Sequence, residues 1–182
     1  MSEACAAGNT RRVAFVADRS RALLTLRGSI ARELKARAAE LLFVAPEFTA
    51  DEAAELAATG IDRSTFDIAP KGLKGLGPIA DWTLTKEIAA ALAAWRPDVV
   101  VCYGAQTMIH AALAARKAAA KEIVVAVTGL SQNAAQAGAE GRLLSARRYG
   151  KAFKAATAAL AHNHDDARAL ARSGLLRDGL EV

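Results

Sequence analysis

One stretch limits the choice of fold more than any other: Arg96-Pro97-Asp98-Val99-Val100-Val101-Cys102-Tyr103-Gly104-Ala105. Pro97 and Asp98 break the helical pattern before it, Val99 to Cys102 form an unbroken apolar run, and Gly104 lets the backbone turn sharply into a new helix. A strand that is apolar on both faces needs cover on both. Helices on each side of a parallel sheet supply that cover, so the expectation is an α/β sandwich with this strand at its centre.

The rest of the chain alternates to match. Residues 1–11 read as a tail of small and polar residues, and residues 12–182 as a single domain. Val13 to Ala17 reads as the first strand, followed through Asp18-Arg19-Ser20-Arg21 by a helix from about Leu23 to Arg37, with Leu26, Ile30 and Leu34 on its apolar face. Leu41 to Ala45 is a second strand. Thr49-Ala50-Asp51-Glu52 has the form of a capping box, and Gly60 is placed to stop the short helix that follows. Phe66 to Ala69 reads as a third strand; the Gly- and Pro-rich segment from Pro70 to Pro78 reads as a break, and Ile79 to Trp95 as a helix. After the central strand come a helix over residues 105–119, a fifth strand from Glu122 to Val127, and a long loop from Thr128 to Gly141. A basic helix from Arg142 to Ala156, a sixth strand from Ala158 to His162, and a helix from Asp165 to Ser173 stopped by Gly174 complete the chain.

Right-handed crossovers turn this alternation into a doubly wound, mainly parallel, Rossmann-like sheet of about six strands in the order 3-2-1-4-5-6. Strands one and four are then neighbours whose connections leave in opposite directions. Ligands bind such sheets in the crevice at those carboxyl ends, here lined by Asp18 to Arg21 and by Tyr103 to Gln106.

A length of 182 residues gives room for one domain with a substantial core, and a hydrophobic content of 53% excludes a disordered chain. The net charge of +5 suits nucleic acid, anionic lipid or a phosphorylated small molecule, and equally a plain solvated basic surface. Cys5 lies in the tail and Cys102 in a buried strand, so no disulfide is expected and a reducing cytoplasm fits. No secretory signal pattern is present, and no apolar run reaches the roughly 18 to 20 residues needed to span a bilayer, so membrane contact is expected to be peripheral.

Several chemistries are argued against by what the motifs lack. A dinucleotide-binding sheet carries a glycine-rich turn after its first strand, and Asp18-Arg19-Ser20-Arg21 holds no glycine. There is no Walker loop, no nucleophile elbow and no Cys or His spacing for a metal. His110 reads as a partly buried spacer on a helix. His162 and His164 bracket Asn163 at the end of the sixth strand, and Asp165 and Asp166 read as capping residues. On the basic helix, Arg147, Lys151 and Lys154 recur on one face with Arg148 beside them, and Leu143, Leu144 and Phe153 offer apolar contact. That face is either solvated or set against an anionic membrane surface.

An ordered set of short motifs resembles the N-terminal half of family-4 glycosyltransferases, particularly bacterial enzymes of surface polysaccharide assembly. Leu26-Arg27-Gly28 is similar to the family's Phe-Arg segment in the first helix, and Lys71-Gly72-Leu73 to its basic-Gly-Leu turn. Arg96-Pro97-Asp98-Val99-Val100 resembles its Pro-Asp-valine passage, Thr128-Gly129-Leu130 its Thr-Gly-Leu turn, and Asn163-His164-Asp165-Asp166 with Ser173-Gly174-Leu175 its last N-domain helix. Cys102-Tyr103 departs from the family by replacing a pair often containing histidine.

The resemblance implies one half of a GT-B enzyme, made of two facing Rossmann-like domains. The N-terminal domain holds a glycan or lipid-linked sugar acceptor, and the C-terminal domain holds the nucleotide-sugar. The chain stops at Val182, where that second domain should begin, so the expectation is an acceptor-side half without turnover of its own, completed by a donor-binding domain or subunit. No further cofactor, metal or nucleic-acid partner is implied. Arg19, Arg27 and Lys71 are the expected cations near an acceptor phosphate, Tyr103 and Gly104 the crevice wall, Thr128 and Gly129 a polar turn at the cleft, and Asn163 a residue of the domain junction. No catalytic residue is assigned. The alternatives are a free-standing α/β module for a phosphorylated ligand or partner protein and, less well matched, a phospho-acceptor receiver. The receiver needs an aspartate where Pro70-Lys71-Gly72 stands.

Overall fold

A computed structural model describes residues 10–66, 77–104, 107–127, 149–174 and 176. The elements are β1 (Arg12–Val16), α1 (Ser20–Ala36), β2 (Glu40–Ala45), α2 (Ala50–Thr59), β3 (Asp62–Thr65) and α3 (Gly77–Trp95). They continue with β4 (Val99–Cys102), α4 (Thr107–Lys117), β5 (Glu122–Val127), α5 (149–155), β6 (Ala158–Ala161) and α6 (His164–Arg172). The strands form one parallel sheet in the order β3-β2-β1-β4-β5-β6, as the alternation predicts.

Register divides each strand between two cores. Ala14, Val16, Val100 and Cys102 face α3, α4, α5 and α6, meeting Ile88, Leu92, Met108, Phe153 and Leu170. Val13, Phe15, Val99 and Tyr103 face the other way, toward Leu23 and Ala31 of α1 and Leu56 of α2. Because side chains alternate along a strand, the parallel pairing of Val13 with Val99 and Val16 with Cys102 keeps both layers continuous across the centre.

Asp98 explains the Pro-Asp pair ahead of β4. Its carboxylate accepts from the Arg12 backbone N–H at 3.0 Å and the Lys121 ammonium at 2.7 Å, while its own N–H donates to the Arg12 carbonyl at 2.8 Å. One residue thus ties together the amino ends of β1, β4 and β5. The Arg12 guanidinium adds a stack over Trp95 at 4.4 Å, and the Trp95 indole donates to Asp62 at 2.9 Å.

Three local expectations change. β3 occupies the polar segment Asp62–Thr65 rather than Phe66 to Ala69; Phe66 follows the strand, buried, with its N–H on the Ala45 carbonyl at 3.3 Å, and residues 67–69 lie outside the described residues. An edge strand pairs on one side only, so the ladder from Leu42↔Asp62 to Ala45↔Thr65 needs backbone groups more than apolar side chains. α1 begins at Ser20, and its buried face runs through Leu23 and Ala31, leaving Ile30 40% exposed. Ile30 and Leu34 instead line a groove of about 450 Å³ with Val101, Val124 and Leu160. The capping box of α2 is present, and Gly60 ends it in the left-handed region at φ 64°.

The Lys121 ammonium and the Arg12 N–H hold the Asp98 carboxyl below its ordinary value of 3.8. The native carboxyl therefore titrates below the unfolded one, and its stabilisation is complete above 3.8 and fades as pH falls through the native value. Asp98→Asn is expected to cost about 1–3 kcal/mol at neutral pH. In denaturant melts the gap from the parent should narrow in acid; a gap that does not change with pH would contradict this role.

Candidate functional site

The crevice forms where the turns after β1 and β4 meet. Pairing runs one residue past β4, with the Tyr103 N–H on the Val16 carbonyl at 2.8 Å, and the backbone then turns at Gly104 with φ 84°. The Gly104 carbonyl accepts from Met108 at 2.8 Å and so opens α4. A Cβ at Gly104 would lie 2.9 Å from Cγ of Asp18. The glycine missing from the first turn is thus found across the crevice, where it admits the Asp18 carboxylate against bare backbone.

Arg19 is the residue preceding α1, in extended conformation, and its side chain makes no capping bond. The helix start is anchored next door: Ser20 Oγ donates to Glu52 Oε2 at 2.9 Å, and Glu52 also accepts from the Thr49 N–H at 3.0 Å. Those bonds, the Thr49 N–H first, hold the Glu52 carboxyl below its ordinary value, so a charged cap ties α1 to α2.

Arg27 lies two turns into α1. Its guanidinium carbon sits 4.2 Å above the Tyr103 ring, and Nη2 donates to Nε2 of His162 at 3.1 Å. Tyr103 is 5% exposed and lies parallel to Phe15, with ring centroids 6.3 Å apart. Burial raises the Tyr103 phenol above its ordinary value, with Arg27 pulling the other way, so it stays protonated at neutral pH. A guanidinium has no acceptor, so His162 receives the bond on an unprotonated Nε2 and carries its proton on Nδ1. Desolvation, then the Arg27 charge, lowers the His162 value from 6.5. Among the described residues no carboxylate pairs with Arg27. The contact links α1, lying over Tyr103, to the residue that follows β6.

Arg19, Arg27, Tyr103 and Gly104 therefore share the carboxyl edge. Lys71, Thr128, Gly129, Arg147 and Arg148 lie outside the described residues. Asn163 caps α6, accepting from the Asp166 N–H at 2.8 Å; Asp165 and Asp166 sit in the first turn behind it rather than capping. Lys151 and Lys154 are exposed on α5, but Phe153 is fully buried and lends no apolar contact to that outer face. His110 is buried between α3 and α4, with Nδ1 3.0 Å from Thr85 Oγ1 and Nε2 3.4 Å from Asp81, a bridge between helices. Burial pushes the Cys102 thiol up, which leaves it unreactive. Among the described residues no cluster of ligands suits a metal ion, and no helix is long and apolar enough to cross a membrane. Sequence reasoning marked His162 by its place after β6 but gave it no partner; only the fold shows that α1 reaches it.

Gly104→Ala should cost about 1–2 kcal/mol from the left-handed backbone alone, with more from the encounter with Asp18. In an Asp18→Ala background only the backbone part should remain. Equal costs in both backgrounds, measured by denaturation, would show that the two turns do not touch.

The family model for the glycosyl transferase 4-like domain matches residues 25–182. No curated protein sequence matches significantly. Among solved structures, a glycosyltransferase from Rickettsia africae superposes with TM-score 0.64 at 16% identity, over 96% of this chain and 42% of that one. A UDP-N-acetylglucosamine 2-epimerase gives 0.65 at 14% identity over 94% and 47%, and MurG of Acinetobacter baumannii gives 0.57 at 17% identity over 83% and 41%. The chain spans less than half the length of each. These likenesses show a Rossmann-like domain of the GT-B kind, and the family match covers most of the sequence. The chain belongs to the glycosyl transferase 4-like family.

Proposed function

We propose that this domain is the acceptor-binding half of a two-domain glycosyltransferase, moving a sugar from a nucleotide-sugar to a glycan or lipid-linked acceptor in surface polysaccharide assembly. The observation that carries this reading is Arg27, held over Tyr103 at the carboxyl edge with no carboxylate partner among the described residues. Stabilising a departing nucleotide diphosphate and an oxocarbenium-like transition state takes preorganised cations in a closed, dry cleft. One crevice wall leaves such a cleft open, so the donor site belongs to a second α/β domain, and the domain alone does not turn over. In this reading Arg19 and Lys71 join Arg27 at the acceptor phosphate, Thr128 and Gly129 line the cleft, and Asn163 lies toward the domain junction. The protein works in the cytoplasm, with Arg147, Arg148, Lys151 and Lys154 turned to an anionic membrane surface.

Two experiments test this. In the two-domain enzyme, Arg27→Ala should raise the acceptor KM about tenfold or more while leaving donor KM within about twofold; unchanged acceptor kinetics would refute the assignment. In liposome flotation, Lys151→Glu with Lys154→Glu should release protein from anionic vesicles and leave neutral vesicles unaffected, whereas equal flotation on both vesicle types would remove the membrane role.

A further inference from the structure

Arg27 and His162 come from opposite ends of the chain and meet across Tyr103 at 3.1 Å. Their present bond leaves His162 without charge and uses one donor of a five-donor guanidinium. No carboxylate neutralises that guanidinium among the described residues. The cation is held in place by an aromatic face, which limits the entropy lost when an anion arrives.

We propose that Arg27 and His162 form a proton-coupled site for a phosphoryl group. The ion takes the place of the Nη2 to Nε2 bond: its oxygens accept from the guanidinium, His162 takes one proton from solvent at Nε2, and the new imidazolium donates to the same ion. Binding takes up at most one proton per ion, the new N–H bond on His162 forms with a proton from solvent, and no bond within the ion breaks. The charged groups acting on His162 are Arg27 from α1, itself lying over Tyr103, and Asp166 from α6. Asp166 favours the charged ring and Arg27 opposes it, so an anion that screens Arg27 tips the balance toward protonation. This deepens the acceptor-phosphate reading of Arg27 and adds His162, which that reading left without a role.

The probe is sulfate, whose double charge does not vary between about pH 5.5 and 7.5, the range in which histidine titrates. It is added to the chain at constant ionic strength while the carbon-bound ring protons of the histidines are followed by NMR. Without sulfate, His162 should titrate below 6.5. At saturation its apparent value should rise by about one unit or more, with sulfate binding about tenfold tighter at the acid end. His162→Gln, which keeps a hydrogen-bonding side chain but cannot titrate, should bind sulfate with a flat pH profile. Arg27→Gln should lose binding and let the His162 value rise, and His164→Gln should behave as the parent. A His162 value unmoved by sulfate, a pH profile that survives His162→Gln, or an effect reproduced by chloride at matched ionic strength would overturn the site. The readout involves neither donor nor acceptor. If the coupling appears while acceptor kinetics ignore Arg27, the anion site stands and its place in acceptor binding falls.

Discussion

Everything at the carboxyl edge depends on β4 being buried on both faces while paired in parallel to β1 and β5. Double burial fixes Val100 and Cys102 toward one set of helices and Val99 and Tyr103 toward the other. A slip of one residue would exchange those sets and turn Tyr103 away from Phe15 and Arg27. The Asp98 bonds at the amino end hold the register from below, and the Tyr103 N–H on Val16 extends it above. The crevice is a consequence of that register: the strands are pinned side by side, their connections part in opposite directions, and Gly104 lets the two turns touch.

The electrostatics follow from the same geometry. Several arginines among the described residues have an acidic neighbour, as Arg37 has Glu33 at 2.9 Å and Arg12 has Glu40 at 3.0 Å; such pairs stabilise little. Arg27, like Arg12, lies over an aromatic ring, but its side-chain partner is a neutral imidazole rather than a carboxylate. Its charge therefore remains available to an incoming anion. A domain that binds a phosphorylated acceptor needs such a cation on a rigid helix, and α1 is made rigid by the bond from Ser20 to Glu52 at its start.

Much of this was legible in the sequence, for physical reasons. Continuous apolar runs mark strands buried on both faces, so β1, β2, β4 and β5 lie within a residue of where their side chains place them, and their order follows from handed crossovers. β3 was misplaced because an edge strand can be polar, and Asp62–Thr65 has no apolar signature. The burial of α1 was misjudged at Ile30 because helical spacing gives a face but not how far the sheet extends under it. Asp18 and Tyr103 were placed at the edge by topology, and Arg27 by the family resemblance. Their contacts with Gly104 and His162 depend on tertiary distances that spacing does not carry, and His162 lies 135 residues from Arg27.

The most direct test of the central claim is backbone amide shift mapping of the chain with a glycosyl phosphate lacking a nucleotide, against a nucleotide-sugar as comparison. The account predicts perturbations gathered at Asp18 and Arg19, around Arg27, at Tyr103 and Gly104, and at His162 with the glycosyl phosphate, and much weaker shifts with the nucleotide-sugar. Shifts centred on the amino edge near Asp98, or a nucleotide-sugar bound more tightly than the glycosyl phosphate, would contradict it.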